Sequence, residues 1–441
     1  MKKVIETIKN IFSIEDLRAR ILNTLWFLLI FRLGSYIVLP GVDPTRLESG
    51  SGKGILGLLD TFLGGAFSNA SIFGLGIMPY ITASIIVQLL TVAVPYFQKM
   101  QKEGESGRQK INKITRILTI AVTLPQSYTY LVGTIADDAI LPGVGRTAFT
   151  ISAMIILTTG TMFCMWLGER ITEKGIGNGT SMLIMIGIIS HLPSALVGEA
   201  ANRGPEGILF FILELIILFF IVIGVVLILQ ATRRIPIQYA KQVVGNRVYG
   251  GQRQYLPLKL NAAGVMPIIF AQSLMFLPGL LVPYLADRNE TAGAVAQAFA
   301  DFTHPAYNIL FAVLIILFSF FYTAITVNPN QIAEEMKRNG GFVPGVKPGL
   351  QTAEYIDTIL SRITLPGALF LASLAILPAI ASLFGITSEL SRFYGGTSLL
   401  IMVGVILDTL QQVESYLLMR HYEGLMKSGR VKGISESVAT V

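Results

Sequence analysis

Residues 208–231 read ILFFILELIILFFIVIGVVLILQA, a run in which Glu214 is the single charged side chain. A helix of about 20 apolar residues crosses the ~30 Å hydrocarbon core of a bilayer. A backbone surrounded by lipid has to satisfy its own hydrogen bonds, which favours a helix over irregular chain. The run therefore predicts a transmembrane helix.

Runs of the same kind recur along the chain. Of its 441 residues, 52% are hydrophobic and 14% are charged, whereas a soluble domain carries about 25% charged residues. The pattern predicts an all-α, polytopic membrane protein with ten transmembrane helices. The predicted spans are residues 21–40, 74–96, 114–136, 148–168, 180–197, 208–231, 261–285, 307–327, 363–384 and 397–418.

The distribution of Lys and Arg predicts the orientation. Ten spans place both termini on one side of the membrane. Of the 34 Lys and Arg residues, 27 lie in or beside the loops on that side, 6 lie in the loops on the other side, and Arg32 lies within the first span. Loops rich in Lys and Arg stay in the cytoplasm, so we expect both termini to be cytoplasmic. The same rule accounts for the net charge of +7 without any specific DNA binding.

The sequence shows no signature of catalysis or cofactor binding. It lacks a phosphate-binding loop, a metalloprotease helix and a dinucleotide fingerprint. Cys164 has no disulfide partner, and the three histidines are too scattered for a metal site. We therefore expect no enzymatic activity, no cofactor and no metal. Charges inside spans are functional candidates because their burial is costly, and Glu214 and Asp408 would be the coupling groups of an alternative, a secondary transporter of small solutes.

Residues 60–73, DTFLGGAFSNASIF, do not fit the ten-span scheme. They are semi-polar, rich in small residues and too short to span. Composition leaves two alternatives, a surface loop or a re-entrant half-helix tucked into the protein. Short elements at membrane depth are tolerated only where protein or a water-filled cavity shields them.

Two cytoplasmic loops have features of docking surfaces. Residues 233–260 hold six basic and no acidic side chains, and their alternating apolar and polar residues predict a protruding hairpin. Residues 328–355 contain FVPGVKPG, in which two X-Pro-Gly turns stiffen the tip around Lys347. The alternatives are an ordinary positive loop and a surface turn without a partner. We expect the first loop to meet an acidic partner such as ribosomal RNA or an acidic motor face.

Several stretches resemble motifs of the SecY family, the central channel subunit of the bacterial Sec protein translocase. The resemblance covers essentially the whole chain, in order and with the expected spacing. The stretches are GIMPYITASIIVQLL at 76–90, GESGRQK at 104–110, GTMFCMWLGERITEKGIGNGTS at 160–181, the segment 238–271 with YAK, VYGG, LPLKLN and AGVMPIIFA, FVPGVKPGLQTAEYI at 342–356 and YGGTSLLI at 394–401.

The resemblance implies two inverted halves, roughly residues 1–200 and 201–441, around an hourglass pore. It also implies that residues 60–73, the plug segment, form a re-entrant half-helix that fills the outer funnel at rest. The plug residues are Leu63, Gly64, Gly65, Ala66, Phe67, Ser68, Asn69 and Ala70. The family's pore ring carries over to Ile77, Ile81, Thr180, Ile184, Ile269 and Ile401, with Thr180 in place of the usual isoleucine.

The resemblance also implies a lateral gate and docking positions. Helices two and seven form the family's gate, where the polar contacts fall on Ser84, Gln88 and Asn261. Basic positions that bind a motor or a ribosome fall on Arg234, Lys241, Arg247 and Lys347. Lys347 stands where the family nearly always has arginine, and lysine cannot reproduce the bidentate contacts of a guanidinium.

The function implied is a protein-conducting channel of the bacterial inner membrane. It moves unfolded secretory proteins across that membrane and releases membrane proteins laterally into it. The SecA ATPase or a translating ribosome supplies the energy, and SecE and SecG are the partner subunits. The implied contacts of the channel are signal sequences, unfolded polypeptide and membrane lipids.

Overall fold

The computed structural model describes most of the chain, and helices dominate that part. The described residues are 14–47, 60, 63–135, 139–141, 145–204, 207–239, 242–244, 247–249, 253–275 and 303–427. Their helices are α1 (Glu15–Ser35), α2 (Met78–Ala93), α3 (Pro95–Lys102), α4 (Glu105–Thr134), α5 (Arg146–Lys174), α6 (Gly179–Arg203), α7 (Ile208–Gln230), α8 (Met266–Met275), α9 (Pro305–Thr326), α10 (Pro329–Arg338), α11 (Leu350–Leu383), α12 (Ser388–Ser391) and α13 (Gly396–Lys427).

Six helices of the described part are long and apolar enough to cross a membrane, and the bent pair α2 and α3 can add a seventh span. The six are α5, α6, α7, α9 continued by α10, α11 and α13. The apolar run 208–231 coincides with α7 except for its last residue. These helices agree with the predicted multi-pass membrane fold.

The other three predicted spans correspond to α1, α4 and α8. Both α1 and α4 begin before the predicted spans 21–40 and 114–136 and carry arginines in their early turns. Apolar patterning marks only the part of a helix that lies in lipid, whereas backbone hydrogen bonding continues beyond it. For the span 261–285, α8 is the described helical part, and residues 276–285 lie outside the described residues.

A 97° bend separates α2 from α3. Val94 at the bend is extended, with φ −113° and ψ 120°, because a proline disfavours the helical conformation of the residue before it, and Pro95 follows. The predicted second span, 74–96, therefore ends as a straight helix at Ala93, and α3 leaves it almost at a right angle.

The two predicted docking loops meet in one antiparallel sheet. The strands are β1 (Thr232–Tyr239), β2 (Gln242–Val244), β3 (Arg247–Tyr249), β4 (Arg253–Lys259) and β5 (Gly341–Phe342). The sheet has the order β4-β1-β5, and β2 pairs with β3. The pairing of Thr232 with Lys259 and of Gln238 with Arg253 confirms the hairpin predicted for 233–260. Because β5 belongs to the loop 328–355, hydrogen bonds join that loop to the hairpin.

One face of this sheet is packed onto helices of the C-terminal part. Ile235 and Ile237 alternate with exposed residues along β1 and are buried. They form an apolar cluster with residues from β4, α10, the turn after β5, and α11, namely Leu258, Met336, Val343, Ile356 and Leu360. The sheet is therefore fixed to α10 and α11 rather than standing free as a flexible loop.

Three apolar clusters hold the helices together. The central one joins α1, α5, α6 and α13. A second joins α8, α9, α11 and α13, and a third joins the plug segment to residues 39–42, α4 and α5. The central cluster is the one that packs elements from before residue 200 against α13, near the end of the chain.

Candidate functional site

The plug segment is packed inside the protein. Five of its described apolar side chains are at most 4% exposed, and Ile72 is partly buried; the five are Leu63, Ala66, Phe67, Ala70 and Phe73. Of the two alternatives left by composition, this burial excludes the surface loop. Asp60 and Leu63 are helical, and the backbone then continues as turns. The helix ends there because Gly64 and Gly65 adopt φ angles of +66° and +84°, which glycine tolerates but a right-handed helix does not.

Neutral hydrogen bonds anchor the second half of the plug segment. They run from Leu39 N to Ala70 O at 2.8 Å, from Ile72 N to Ile37 O at 2.9 Å and from the Tyr130 hydroxyl to Phe67 O at 2.7 Å. The first two tie the segment to the chain that follows α1, and the third ties it to α4. The plug segment is thus held on two sides by elements of the N-terminal part.

Charged groups also bind the backbone of the plug segment, from outside at Gly64 and within the segment at Ser68. Arg32, in the last turn of α1, donates from Nη1 to Gly64 O at 2.9 Å. Asp60 Oδ1 accepts from Ser68 N at 3.0 Å. Burial lowers the pKa of Arg392, between α12 and α13, while the carboxylates of Glu389 and Asp60 oppose that shift. Asp60 is thus one of the charges that act on Arg392, a residue of the C-terminal part.

All five isoleucines of the predicted ring lie in the central apolar cluster. Ile77, Ile184 and Ile401 are buried members, and Ile81 and Ile269 are partly buried and packed against them. The five come from the end of the turns before α2 and from α2, α6, α8 and α13. Their convergence from distant parts of the chain excludes positions on separate lipid-facing surfaces, and it agrees with a single constriction as well as with packing in the core.

Thr180 lies next to this cluster, at the start of α6. A Cβ built on Gly168 would lie 3.2 Å from Thr180 Cγ2 and 3.5 Å from Ile77 Cδ1. The Thr180 hydroxyl donates to Asn178 Oδ1 at 2.7 Å, and the same oxygen accepts from the backbone N–H of Thr180 and Ser181. The methyl group thus lies near Ile77, and the hydroxyl is bound within the helix cap.

The three predicted gate residues make local hydrogen bonds. Gln88 Nε2 donates to Ser84 Oγ at 3.5 Å, one turn back along α2. Asn261 is buried and donates to Gly264 O at 2.9 Å, which shapes the turn before α8. A polar seam between α2 and α8, the helices that correspond to the second and seventh predicted spans, stays a prediction.

A groove of about 880 Å³ opens on the side where the sheet lies. Its walls come from the end of α2, from α3, from β4, and from the junction of α9 with α10. Polar and apolar residues line it together, including Thr91, Gln98, Lys102, Leu256, Ile325 and Glu335. The groove therefore has an N-terminal wall and a C-terminal wall.

The predicted docking residues are only partly described. Arg234 is exposed on β1, and Lys347 is exposed in the turn after β5. Because β5 pairs with β1, the two belong to one sheet and its flanking turn. Lys241 lies outside the described residues, and Arg247 lies in β3.

Sequence reasoning missed a buried ion network at the end of α6. Arg203 donates to Glu199 Oε1 at 2.9 Å, to Glu214 Oε1 at 2.6 Å and to Gly385 O at 3.0 Å. The other oxygen of Glu199 accepts from both the N–H and the hydroxyl of Thr387. Glu214 was identified as an intramembrane charge, but its connection through Arg203 to the turn after α11 has no local sequence signal.

The pair proposed for a solute transporter is not arranged as a coupling site. Glu214 is buried in an ion pair with Arg203, whereas Asp408 lies exposed on α13. An exposed carboxylate and a carboxylate held by an arginine do not make a shared proton or ion site.

Comparison with known proteins agrees with this architecture. The SecY family model matches residues 71–410. The protein translocase subunit SecY of Streptomyces coelicolor is 43% identical over 439 residues, which cover 94% of this chain and 98% of that protein.

Two solved structures share the fold. One reports how the plug domain of the SecY protein stabilises the closed state of the translocation channel and maintains a membrane seal; its TM-score is 0.62 at 16% identity, over 90% of this chain and 92% of the other. The second is Sec61 in the canine ribosome-channel complex from the endoplasmic reticulum, with a TM-score of 0.58 at 16% identity and the same coverage. The matched family model and the near full-length relative establish that this multi-pass membrane protein belongs to the SecY family.

Proposed function

We propose that this chain forms the protein-conducting channel of a bacterial Sec translocase. It passes unfolded secretory proteins across the inner membrane and releases membrane segments sideways into lipid. The observation that carries the proposal is the convergence of the five predicted ring isoleucines in one apolar cluster, with the buried plug segment beside it. Family membership and near full-length similarity to a translocase subunit support the same function.

An aliphatic ring suits a passage for chains of any sequence. It offers no fixed charge to bind a passing polypeptide, and a narrow apolar constriction resists wetting and ion flow. The Thr180 hydroxyl, bound to Asn178, does not add a free polar group to the ring. The ring therefore acts as a gasket around the moving chain.

The plug segment closes the resting channel from the outer side, and the halves 1–200 and 201–441 open around the pore. The plug residues are those at 63–70. Five of the eight are small, so most of the apolar area that the segment exposes on leaving its site comes from Leu63 and Phe67. In the related SecY structure the plug domain stabilises the closed state, and we assign the same role to this segment.

The groove beside α2 and α9 is the entrance of the lateral gate. An arriving signal sequence is an apolar helix, and the groove offers it one wall from each half of the protein. Ser84, Gln88 and Asn261 form the polar seam that the signal sequence separates. Interhelical side-chain hydrogen bonds of this kind contribute only about 0.6–2 kcal/mol, which suits a gate that has to open.

The energy for transport comes from partner proteins, because we propose that the chain has no enzymatic activity of its own. Arg234, Lys241, Arg247 and Lys347 form the basic surface that receives SecA or a ribosome on the cytoplasmic side. SecE and SecG complete the complex, and both termini of this chain face the cytoplasm. A ribosome-bound relative with the same fold supports the ribosome as one of the partners.

The test is ATP-driven uptake of a preprotein into proteoliposomes that contain this chain, SecE and SecA. Uptake should require SecA and should stop when a crosslink tethers the plug segment to the pore wall. The matched control is the same crosslinked channel after the crosslink is cleaved. A correctly assembled complex that binds SecA but takes up no preprotein would contradict the proposal.

A further inference from the structure

Arg32 is the intramembrane charge for which the proposed channel has no use so far. It lies in the last turn of α1 and is half-buried. A cation at this end of a helix interacts favourably with the helix dipole, whichever way the side chain points. The dipole thus accounts for a positive charge in this turn but not for the direction of the guanidinium.

The guanidinium is directed at the plug segment by two contacts. Nη1 donates to Gly64 O at 2.9 Å, and Nη2 donates to the Tyr36 hydroxyl at 3.1 Å. The guanidinium carbon also lies 5.3 Å from the centre of the Tyr36 ring. A planar fork stacked on a ring can hold both oxygens at once, which an ammonium group cannot do.

Gly64 is shaped to receive this contact. Its φ is +66°, and a Cβ at this position would overlap Arg32 Nη1 and come within 3.0 Å of Gly187 Cα and Ser190 Oγ on α6. Any larger residue would push the guanidinium away. Gly64, the tip of the plug segment, is therefore held between α1 and α6, and the carbonyl of Gly64 points towards α1.

The Arg32 contact differs in kind from the hydrogen bonds at the far end of the segment. Those bonds, such as that from the Tyr130 hydroxyl to Phe67 O, join neutral groups. A hydrogen bond from a charged donor contributes about twice as much as one between neutral groups, and a low local dielectric strengthens it further. Among the contacts named above, we therefore expect the charged contact to cost the most to break when the segment around Gly64 leaves its site.

We propose that Arg32 is the latch of the plug, a positioning residue that holds the tip of the segment in the resting channel. The inference rests on the proposed channel function and adds a named residue to it. The latch sets how often the empty channel opens. It takes no part in driving the polypeptide, because it lies on the outer side, away from the basic docking surface.

The experiment compares Arg32→Leu and Arg32→Lys with the unaltered chain in proteoliposomes. Leakage of a trapped small anion from resting vesicles should rise about 10- to 100-fold in Arg32→Leu, which corresponds to the loss of a charged hydrogen bond. Arg32→Lys should leak at an intermediate rate, because it keeps the charge and loses the fork. The matched control, Tyr36→Phe, keeps the bond to Gly64 and should stay within about threefold of the unaltered chain.

A second measurement reports on the plug segment itself. Ser68→Cys is placed in the segment, and its rate of labelling by a thiol reagent added outside is measured; the native Cys164 is fully buried. Labelling should be faster in the Arg32→Leu background than in the Tyr36→Phe background. If Arg32→Leu does not assemble, Gly64→Ala tests the contact from the other side and should raise leakage in the same way.

The outcomes separate the latch from the channel. An unaltered chain that takes up preprotein, together with an assembled Arg32→Leu or Gly64→Ala variant that is no leakier and no faster labelled, overturns the latch alone. An unaltered chain that takes up no preprotein overturns the proposed function and the latch with it. Uptake by all variants, with leakage confined to changes of Arg32 and Gly64, supports the latch.

Discussion

Arg203 bridges two carboxylates that have almost no contact with solvent. The Glu199 side chain is fully buried, and that of Glu214 is 10% exposed. Removing one member of a buried ion pair leaves an uncompensated charge, which costs far more than the loss of an exposed pair. The network joins the end of α6 to α7 and to the turn after α11, so it fastens the first half of the chain to the second.

Replacing Arg203 by methionine should therefore destabilise the protein by about 3–5 kcal/mol. The measurement is the thermal unfolding midpoint of the purified complex in detergent. The matched control is Arg170→Met, which removes an exposed pair with Glu173 at 2.9 Å and should cost no more than about 1 kcal/mol. Equal shifts of the unfolding midpoint in the two variants would show that burial of the Arg203 network does not contribute to stability.

The proposed pore ring allows a second prediction about a single residue. Ile184 is buried in the central cluster, and Ile184→Asn should let water enter the constriction and raise ion leakage during translocation. Ile184→Val keeps the surface aliphatic and should leave the seal almost unchanged. Conductance of single channels engaged with a preprotein checks both. An asparagine variant as tight as the valine variant would mean that the apolar surface at this position does not form the seal.

Among the helices, α5 and the start of α6 approach each other closely enough to exclude a side chain between them. A Cβ on Gly179 would overlap Gly168 O and lie 2.8 Å from Ile171 Cβ. By contrast, a Cβ on Gly133 in α4 would meet no atom within 4 Å. Close packing against α5 therefore requires a glycine at 179, whereas packing does not require one at 133.

Gly179→Ala should destabilise the fold by about 1–3 kcal/mol, because overpacking forces the two helices apart. Gly133→Ala should be neutral or stabilising by up to about 1 kcal/mol, because alanine favours a helix over glycine. Thermal unfolding in detergent compares the two variants. A Gly179→Ala protein as stable as Gly133→Ala would mean that α5 and α6 can separate without loss.

On the scale of the whole molecule, the sheet joins the two predicted docking loops, 233–260 and 328–355, into one surface. Arg234→Ala combined with Lys347→Ala should lower the rate of motor-driven or ribosome-driven transport several-fold and leave the leakage of the resting channel unchanged. Weakened binding of the driving partner is the physical reason, since opposite charges attract it. Lys113→Ala, an exposed cation on α4, is the control. Equal effects of the control and the double variant would contradict a localised docking surface.

The sequence predicted the features that depend on local pattern. Apolar runs located most of the spans, and the alternation in 233–260 indicated the hairpin. It could not reveal that β5 joins this hairpin, because a two-residue strand has no periodicity of its own. It also could not choose between a loop and a buried segment at 60–73, since burial there depends on contacts with distant helices. The ring isoleucines were assigned by family resemblance, because apolar residues facing lipid and facing a pore have the same pattern.

The sheet that joins the two loops also has a mechanical consequence. β1 follows directly from α7, β5 leads towards α11, and β4 forms one wall of the groove whose other wall is α2 and α3. The sheet is packed on α10 and α11 and forms one unit with them. The groove lies beside β4, at the edge of this unit. The proposed docking surface is thus continuous with the C-terminal wall of the groove and not with the wall formed by α2 and α3. In the proposed channel, a partner docked on this sheet would therefore sit on the same rigid unit as one wall of the proposed gate.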